Sequence, residues 1–168
     1  MQTFDHEVFG TVEFEPVDGH SLGSTEIEWA DGVIDLSIWV DGAGPDREVL
    51  DELARYITDL PAFDQAARAA MHADLPEEES AVQLYVEHHQ EELGTAVPPS
   101  TEAFLAAVRL SGLSLRAADA IDTNNTDTDD IGGGEAVLDY TIGEDLTQYV
   151  IAVTLGADSV VRTIAMES

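Results

Sequence analysis

Residues 136–168, AVLDYTIGEDLTQYVIAVTLGADSVVRTIAMES, decide the fold of this chain. Apolar side chains occupy every second position in three segments of this stretch, and a period of two in β-branched and aromatic residues predicts β-strands. The predicted apolar faces comprise Leu138, Tyr140 and Ile142 in the first strand, Tyr149, Ile151, Val153 and Leu155 in the second, and Val160, Ile164 and Met166 in the third. The C-terminus is therefore predicted to be an antiparallel meander with one apolar face.

The two turns of this meander would set its register, because paired residues in neighbouring strands share a face. A loop over residues 143–148 places Leu138 opposite Val153, and a turn at residues 156–159 places Val153 opposite Arg162. Arg162 is then the lone cation on the apolar face. A cation in that position requires a carboxylate partner, so the sequence predicts an ion pair, with anion binding as the alternative.

The same alternation predicts antiparallel strands near the N-terminus. Residues 12–15 form a short strand. Residues 25–40, TEIEWADGVIDLSIWV, form a hairpin whose turn is Asp31-Gly32, since this pair accepts positive φ. That turn would place Trp29 opposite Ile34.

Four helices are predicted between the two groups of strands, from apolar residues spaced three and four apart. They cover residues from about 47 to 60, from 63 to 73, from 81 to 93, and from 101 to about 112. Asp46 and Ser100 are suited to be N-caps, and Gly94 is suited to end the third helix. The sequence thus predicts an α+β fold with N-terminal antiparallel strands, a central block of about four helices packed on one sheet face, and a C-terminal antiparallel meander.

Length and composition indicate a single domain with its own core. The 168 residues carry 44% hydrophobic side chains, which suits one domain over residues 1–168. The absence of cysteine excludes disulfides and thiolate chemistry. No apolar run reaches the roughly 18 residues that a membrane span needs, and the start MQTFDHEVFG lacks the basic segment of a signal peptide. We therefore expect a cytoplasmic protein that does not enter a membrane.

The charge of the chain is strongly negative. Its 35 Asp and Glu residues, against 6 Arg and no Lys, give a formal net charge of −29. Such a surface repels the phosphates of nucleic acids and of anionic membranes, so neither is an expected partner, and it attracts basic proteins. The alternative is that the carboxylates keep the surface hydrated at high salt and say nothing about a partner.

The low-complexity segment 119–135, rich in Asp, Asn, Thr and Gly, is predicted to be a mobile acidic loop. Its oxygen-bearing side chains resemble those of calcium-binding loops. The EF-hand pattern fails, however, because Asp127 stands where the turn glycine is needed and no Glu occupies the last ligand position. We therefore expect loose association of cations with this loop.

The predicted third helix carries the residues most able to bind a metal. His88 and Glu92 lie one turn apart, a spacing that can hold a divalent cation, although the helix lacks the HExxH pattern. His89 falls on the apolar face, where a structural role is expected. The chain also contains no P-loop or GxGxxG pattern. No metal or other cofactor is therefore expected, with a metal-binding protein or metal-dependent hydrolase as the alternative.

Two parts of the sequence resemble a known family. The C-terminal part is similar to the C-terminal signature of the bacterial domain-of-unknown-function family numbered two thousand and four. The similar residues are DYTIG at 139–143 and Met-Glu-Ser at 166–168. Residues 85–93 are similar to the Tyr…His-x-Glu-Glu segment of that family. The matching positions in this segment are His89, Glu91 and Glu92. With the whole segment 138–168 included, the similar stretches cover about a quarter of the chain, and the resemblance implies a bacterial protein with no established catalytic residue.

Together these observations predict a non-enzymatic binding or interaction protein, immunity-like or regulatory, with a basic protein as partner. The candidate binding residues are Arg162, His89, Glu91, Glu92 and Trp39. Trp39 falls on the polar face of the predicted hairpin, either as an ordinary packing residue or as a binding aromatic. No catalytic residue is predicted.

Overall fold

In a computed structural model, which describes residues 1–30, 32–117 and 134–168, eight strands and four α-helices follow one another along the chain. The strands are β1 (Gln2–His6), β2 (Gly10–Val17), β3 (His20–Trp29), β4 (Gly32–Asp41), β5 (Arg109–Arg116), β6 (Glu135–Thr141), β7 (Val150–Gly156) and β8 (Val161–Glu167). The helices are α1 (Arg47–Thr58), α2 (Leu60–Asp74), α3 (Ala81–Leu93) and α4 (Thr101–Ala107), with a 3₁₀ turn at Gly94–Ala96. The predicted α+β class is confirmed.

All eight strands belong to one sheet in the order of the chain, from β1 at one edge to β8 at the other. Neighbouring strands are antiparallel except β4 and β5, which are parallel. Parallel neighbours need a crossover connection, and the block α1–α4 provides it. The predicted N-terminal strands and C-terminal meander are therefore halves of a single mixed sheet, so the predicted arrangement is matched only in part.

One face of this sheet, which we call the covered face, packs against the helices. The helix α1 contacts β5, and both α2 and α3 contact β7 and β8. A row of paired apolar residues crosses the middle of this face, and all except the last are buried: Leu36, Leu113, Leu138, Val153 and Ile164. Removing such rows from water is the main force that holds the helices on the sheet.

The opposite side, which we call the open face, carries mainly polar residues, and those in its middle are small. Successive side chains of a strand point to opposite faces, so the apolar row has a polar neighbour on the other side of the sheet. This neighbouring row consists of Ser37, Ser114, Val137, Thr154 and Thr163. None of these five residues belongs to the buried core.

The ends of the helices follow from their capping residues. Asp46 and Ser100 accept hydrogen bonds from backbone N–H groups in the first turns of α1 and α4, and Gly94 ends α3 with a φ of 52°, all as predicted. The predicted extension of the fourth helix to about Gly112 is wrong. The chain pairs as β5 from Arg109 onward, because strands on both sides, β4 and β6, satisfy its backbone hydrogen bonds.

The β3–β4 hairpin differs from the predicted register by two residues. Trp29 pairs with Gly32 rather than with Ile34. Ala30 adopts a φ of 50°, and Gly32 already belongs to β4 instead of to the turn. A slip of two residues leaves each side chain on its predicted face, since the side-chain period of a strand is two.

The C-terminal meander is predicted correctly in its first hairpin and wrongly in its second. Leu138 lies opposite Val153, as predicted. Val153 pairs with Ile164 rather than with Arg162, and the ladder is irregular between Thr154 and Leu155 on β7. Two one-residue shifts explain the error. Beside the turn, Leu155 pairs with Val161, one residue further than a turn over residues 156–159 implies, and the extra residue of β8 at the irregularity, Arg162, shifts the pairs beyond it by one more.

Most of the predicted acidic loop, residues 119–133, lies outside the described residues, as does Asp127, which bears on the calcium alternative. The last residue assigned to that loop, Glu135, instead begins β6. In the part of the chain that the structure describes, no helix combines the length and the apolar composition needed to cross a membrane.

Candidate functional site

The segment 139–143, DYTIG, is fixed by hydrogen bonds of four of its residues, and those of Tyr140 and Ile142 reach the helices. The Ile142 N–H donates to the Tyr85 hydroxyl of α3 over 3.1 Å, and that hydroxyl donates in turn to the Tyr149 carbonyl over 3.2 Å. The Gly143 N–H donates to the side chain of Thr141 over 3.1 Å. These bonds bind the loop between β6 and β7 to the fold.

Tyr140, the fourth of these residues, links β6 to α2 through a partly buried polar network. Its hydroxyl donates to an Asp64 carboxylate oxygen over 2.6 Å, and Arg68 Nε donates to the same carboxylate over 3.1 Å. The Arg68 guanidinium lies 5.2 Å from the centre of the Tyr140 ring. Burial, followed by the hydrogen bond to Asp64, raises the pKa of Tyr140. The hydroxyl therefore stays protonated and acts as a structural donor.

His89 fixes the same loop from α3. Its Nδ1 lies 2.6 Å from the Tyr85 carbonyl oxygen, which can only accept, so Nδ1 carries the proton. Its Nε2 then accepts from the Thr147 hydroxyl over 2.8 Å, and that hydroxyl accepts from the Tyr149 N–H over 3.0 Å. Burial lowers the pKa of His89 and keeps the ring neutral. Both nitrogens are occupied, so this predicted binding candidate has the structural role expected of it.

The metal candidates lie beside this network. His88 and Glu92 line a groove of about 470 Å³ between α3 and residues 144–149, whereas Glu91 is exposed on the surface of α3. The His88 ring packs edge-on against Tyr149, with 5.3 Å between the ring centroids. Within the described residues, no three His, Cys, Asp or Glu side chains are grouped closely enough to hold a metal ion. The described geometry therefore offers the metal alternative no ligand set.

Asp139 is the fifth residue of the DYTIG segment, and it points to the open face. The residues that pair with it on the two neighbouring strands are Gly112 and Ala152, so neither paired neighbour has a side chain that can bond to the carboxylate. A Cβ placed on Gly112 would lie 3.5 Å from Asp139 Oδ2. The ladder is also irregular here, between Leu110 and Gly112 on β5, and such bulges often lie beside functional sites.

The Asp139 carboxylate is electrostatically unfavourable where it lies. Among the described residues no side chain or backbone N–H donates a hydrogen bond to it, and no ion pair includes it. Burial, followed by repulsion from Glu167, raises its pKa to about 6, and attraction to Arg116 only partly opposes this. Asp139 is therefore a partly exposed carboxylate whose charge is disfavoured by burial and by Glu167.

Further polar residues surround Asp139 on the open face. Glu26 and Asp35 continue its row toward β3, and both are exposed. The ion pair Arg116–Glu135, with 3.4 Å between its nitrogen and oxygen atoms, lies two rows along the open face from Asp139. In that row the register places Trp39 opposite Arg116. Trp39 is thus half-buried on the open face, on the side that its sequence position predicts.

Arg162 does not lie on the covered face. Past the irregularity in the β7–β8 ladder its guanidinium is exposed and forms an ion pair with Asp158 over 3.0 Å, with exposed fractions of 42% and 48% for the two side chains. The predicted carboxylate partner is present, but at the surface, where such pairs contribute about 1 kcal/mol or less. Arg162 therefore lies away from the carboxylates around Asp139.

The structure thus separates the predicted candidates and adds one that the sequence did not single out. His89, Glu91 and Glu92 lie on α3, Arg162 pairs with Asp158, and only Trp39 is on the face that carries Asp139. Polarity at an alternating position places Asp139 on the outer face of its strand. Its lack of partners depends on Gly112 and Ala152 lying opposite, and that pairing is not visible in the sequence.

No protein-family model matches this chain, and searches of curated proteins and of solved structures found no match. The resemblance of residues 139–143 and 166–168 to a domain-of-unknown-function family therefore stays a prediction. The geometry of the open face is what bears on function.

Proposed function

We propose that this protein is a non-enzymatic binding protein that recognises a basic segment of a partner protein on its open face. The observation that carries this proposal is Asp139, a partly buried carboxylate with no hydrogen-bond or ion-pair partner among the described residues. A Lys or Arg side chain from a partner would supply the missing counter-charge.

The surroundings of Asp139 favour access by a long basic side chain. Gly112 and Ala152 on either side, and Ala165 beyond, leave the carboxylate without large neighbours in its row. The hydroxyls of Ser37 and Thr154 lie in the adjacent row and can bond to a partner backbone.

The electrostatics supports a partner of positive charge. Asp35, Asp139 and Glu167 lie on the same face, and the whole chain carries a net charge of −29. A basic partner would be attracted over a distance of about one Debye length, roughly 8 Å at physiological salt, and would then neutralise the least favourable carboxylate. We infer that charge sets the rate of encounter and that Asp139 adds specificity.

Salt adaptation is the second candidate explanation for the charge. Its specific support is that exposed carboxylates also occur far from the open face, for example Glu48 and Glu52 on α1. If hydration at high salt is their role, the free energy of unfolding should keep rising as KCl is increased into the molar range. Stability that is insensitive to KCl would remove this explanation.

The binding proposal is tested with a short peptide of alternating Arg and Ser residues as the probe. Peptide affinity is measured by calorimetry for the wild type and for the double variant Asp35→Asn/Asp139→Asn. The matched control, Glu48→Gln/Glu52→Gln, removes the same charge from α1. We expect the open-face variant to lose about tenfold in affinity and the control to lose less than about twofold.

Nuclear magnetic resonance of the wild type with the same peptide gives the location. Shifts concentrated in the amides of β4–β7 would support the proposal. Equal loss of affinity in both double variants, or shifts spread over α1 and α3, would show that the peptide responds only to net charge and would overturn it.

A further inference from the structure

A second cavity lies at the end of the sheet where β4 and β5 begin. It has a volume of about 370 Å³, within the range of small-molecule sites, and we call it the arginine pocket. The residues that matter for its chemistry are Trp29, Val33, Arg68, Arg109, Ser111 and Glu144. These come from β3, β4, α2, β5 and the loop after β6, so the pocket exists only in the folded chain.

The two arginines of this pocket are unusual in such an acidic protein. The chain has 6 Arg against 35 Asp and Glu residues, yet within the described residues Arg109 has no hydrogen bond and no ion pair. Arg68 donates through Nε to Asp64 and through one terminal nitrogen to the Val108 carbonyl over 3.3 Å, while the contacts described leave its other terminal nitrogen unused. The pocket therefore retains donors of positive charge.

The walls and the nearby carboxylates limit what can bind. Trp29, Val33 and Leu110 provide apolar surface, and a tryptophan ring suits a flat apolar group. Glu144 also lines the pocket, and Asp64 already neutralises much of the charge on Arg68. Among the described residues the remaining excess of positive charge is small, which favours a ligand with one negative charge over a phosphate with two.

We propose that the arginine pocket binds a small organic monocarboxylate with a flat apolar body. Arg109 contacts the carboxylate, the free terminal nitrogen of Arg68 assists, and Trp29 packs against the body of the ligand. Arginine suits this role because its planar guanidinium can donate two parallel hydrogen bonds to one carboxylate. The pocket is distinct from the open face around Asp139, so the two proposals stand or fall separately.

Benzoate is the probe, with uncharged benzamide and inorganic phosphate as comparisons. The chain contains two tryptophans, so Trp39→Phe leaves Trp29 as the only tryptophan, whose emission can be excited separately from that of the tyrosines. We expect benzoate to quench the Trp29 emission saturably in the millimolar range, and to bind about tenfold or more tightly than benzamide, because only the carboxylate makes charge-assisted bonds. Phosphate should bind more weakly than benzoate.

Variants in the Trp39→Phe background assign the contact. Arg109→Gln is preferred over a change at Arg68, because Arg68 also supports Asp64 and Tyr140. We expect Arg109→Gln to weaken benzoate binding about tenfold or more, and Arg109→Lys to restore part of the loss. The matched control is Arg47→Gln, which removes an exposed arginine of α1 and should change the affinity less than about twofold.

Three results would overturn the proposal. The first is that benzoate binds equally well to the Arg109→Gln variant and to its Trp39→Phe parent. The second is that benzamide binds as tightly as benzoate, and the third is that phosphate binds more tightly than benzoate. Circular dichroism of each variant shows that the fold is intact, and loss of benzoate binding with peptide binding retained would separate this site from the open face.

Discussion

The two faces of the sheet differ in whether the polar groups beside them are hydrogen-bonded to other residues. On the covered face, the Tyr85 hydroxyl and both nitrogens of His89 have hydrogen-bond partners, and Tyr140 bonds to Asp64. On the open face, Asp139 belongs to the same strand as Tyr140, and no described residue bonds to its carboxylate. On β6, adjacent residues therefore differ: Tyr140 is hydrogen-bonded, and the carboxylate of Asp139 is partly exposed with no described residue bonded to it.

This difference separates residues that stabilise the fold from a residue whose charge destabilises it. Buried polar groups are normally hydrogen-bonded, because leaving one unbonded costs about 1–3 kcal/mol. The contacts of Tyr140 and His89 explain those residues without any function. Asp139 has no such explanation, which is why it carries the proposed function.

The largest expected effect on stability comes from a substitution on the covered face. Leu138 is fully buried in the middle of the sheet, so Leu138→Ala removes packed methyl groups and leaves a cavity. We expect a loss of about 2–5 kcal/mol in the free energy of unfolding, measured by urea denaturation. Val137→Ala, its neighbour on the open face, should cost less than about 1 kcal/mol. Similar losses in both variants would mean that the open face is covered as well.

A smaller effect is expected from the network around His89. The variant His89→Gln leaves buried groups of Tyr85 and Thr147 without their present partners, and we expect a loss of about 1–3 kcal/mol at neutral pH. His72→Gln on the exposed side of α2 is the control and should be nearly neutral.

The pH dependence of protein stability should show that the folded protein favours neutral over protonated His89. Because burial lowers its pKa in the folded protein, the unfolded chain binds the proton more readily. The stability that neutral His89 provides is therefore present above about pH 6.5, the pKa of an unperturbed histidine, and falls as the pH drops below it. If His89→Gln retained the same acid sensitivity, the neutral tautomer assigned to His89 would be wrong.

An effect of opposite sign, no larger than that of His89, is expected at Asp139. Its raised pKa of about 6 means that the folded protein binds the proton more readily than the unfolded chain. Its favourable contribution is complete below about pH 4 and is lost as the pH rises to about 6. Asp139→Asn should therefore stabilise the protein by about 1–3 kcal/mol at pH 7 and by little at pH 4.

Denaturation at both pH values checks this expectation. Asp35→Asn, an exposed residue of the same row, is the control and should change the stability by less than about 0.5 kcal/mol at either pH. Destabilisation by Asp139→Asn at pH 7 would show that the carboxylate is held by favourable contacts, and the contrast between the two faces would fail.

Local patterns in the sequence were enough to predict much of the fold. Alternation placed Leu138 opposite Val153, and Asp46, Ser100 and Gly94 marked helix ends, because capping and strand pairing at short range depend on neighbouring residues. The strand β1 was not predicted, since its residues QTFDH show little alternation of apolar and polar side chains.

Features that depend on distant parts of the chain were not predictable. The positive φ of Ala30 moved one hairpin register, and the irregular β7–β8 ladder placed Arg162 at the surface. The isolation of Asp139 required knowing that Gly112 lies opposite, across a connection that includes residues 118–133. The arginine pocket joins five elements, so no spacing in the sequence could indicate it.

The parallel pairing of β4 with β5 has a consequence for the order of folding. Strands β1–β4 are joined by short turns, whereas β4 and β5 meet only after the chain has passed through all four helices. Closing so long a connection costs conformational entropy before any pairing offsets it, and such non-local contacts slow folding. We therefore expect the β4–β5 ladder to form late, after the N-terminal hairpins and the helices, as the step that commits the chain to its native structure.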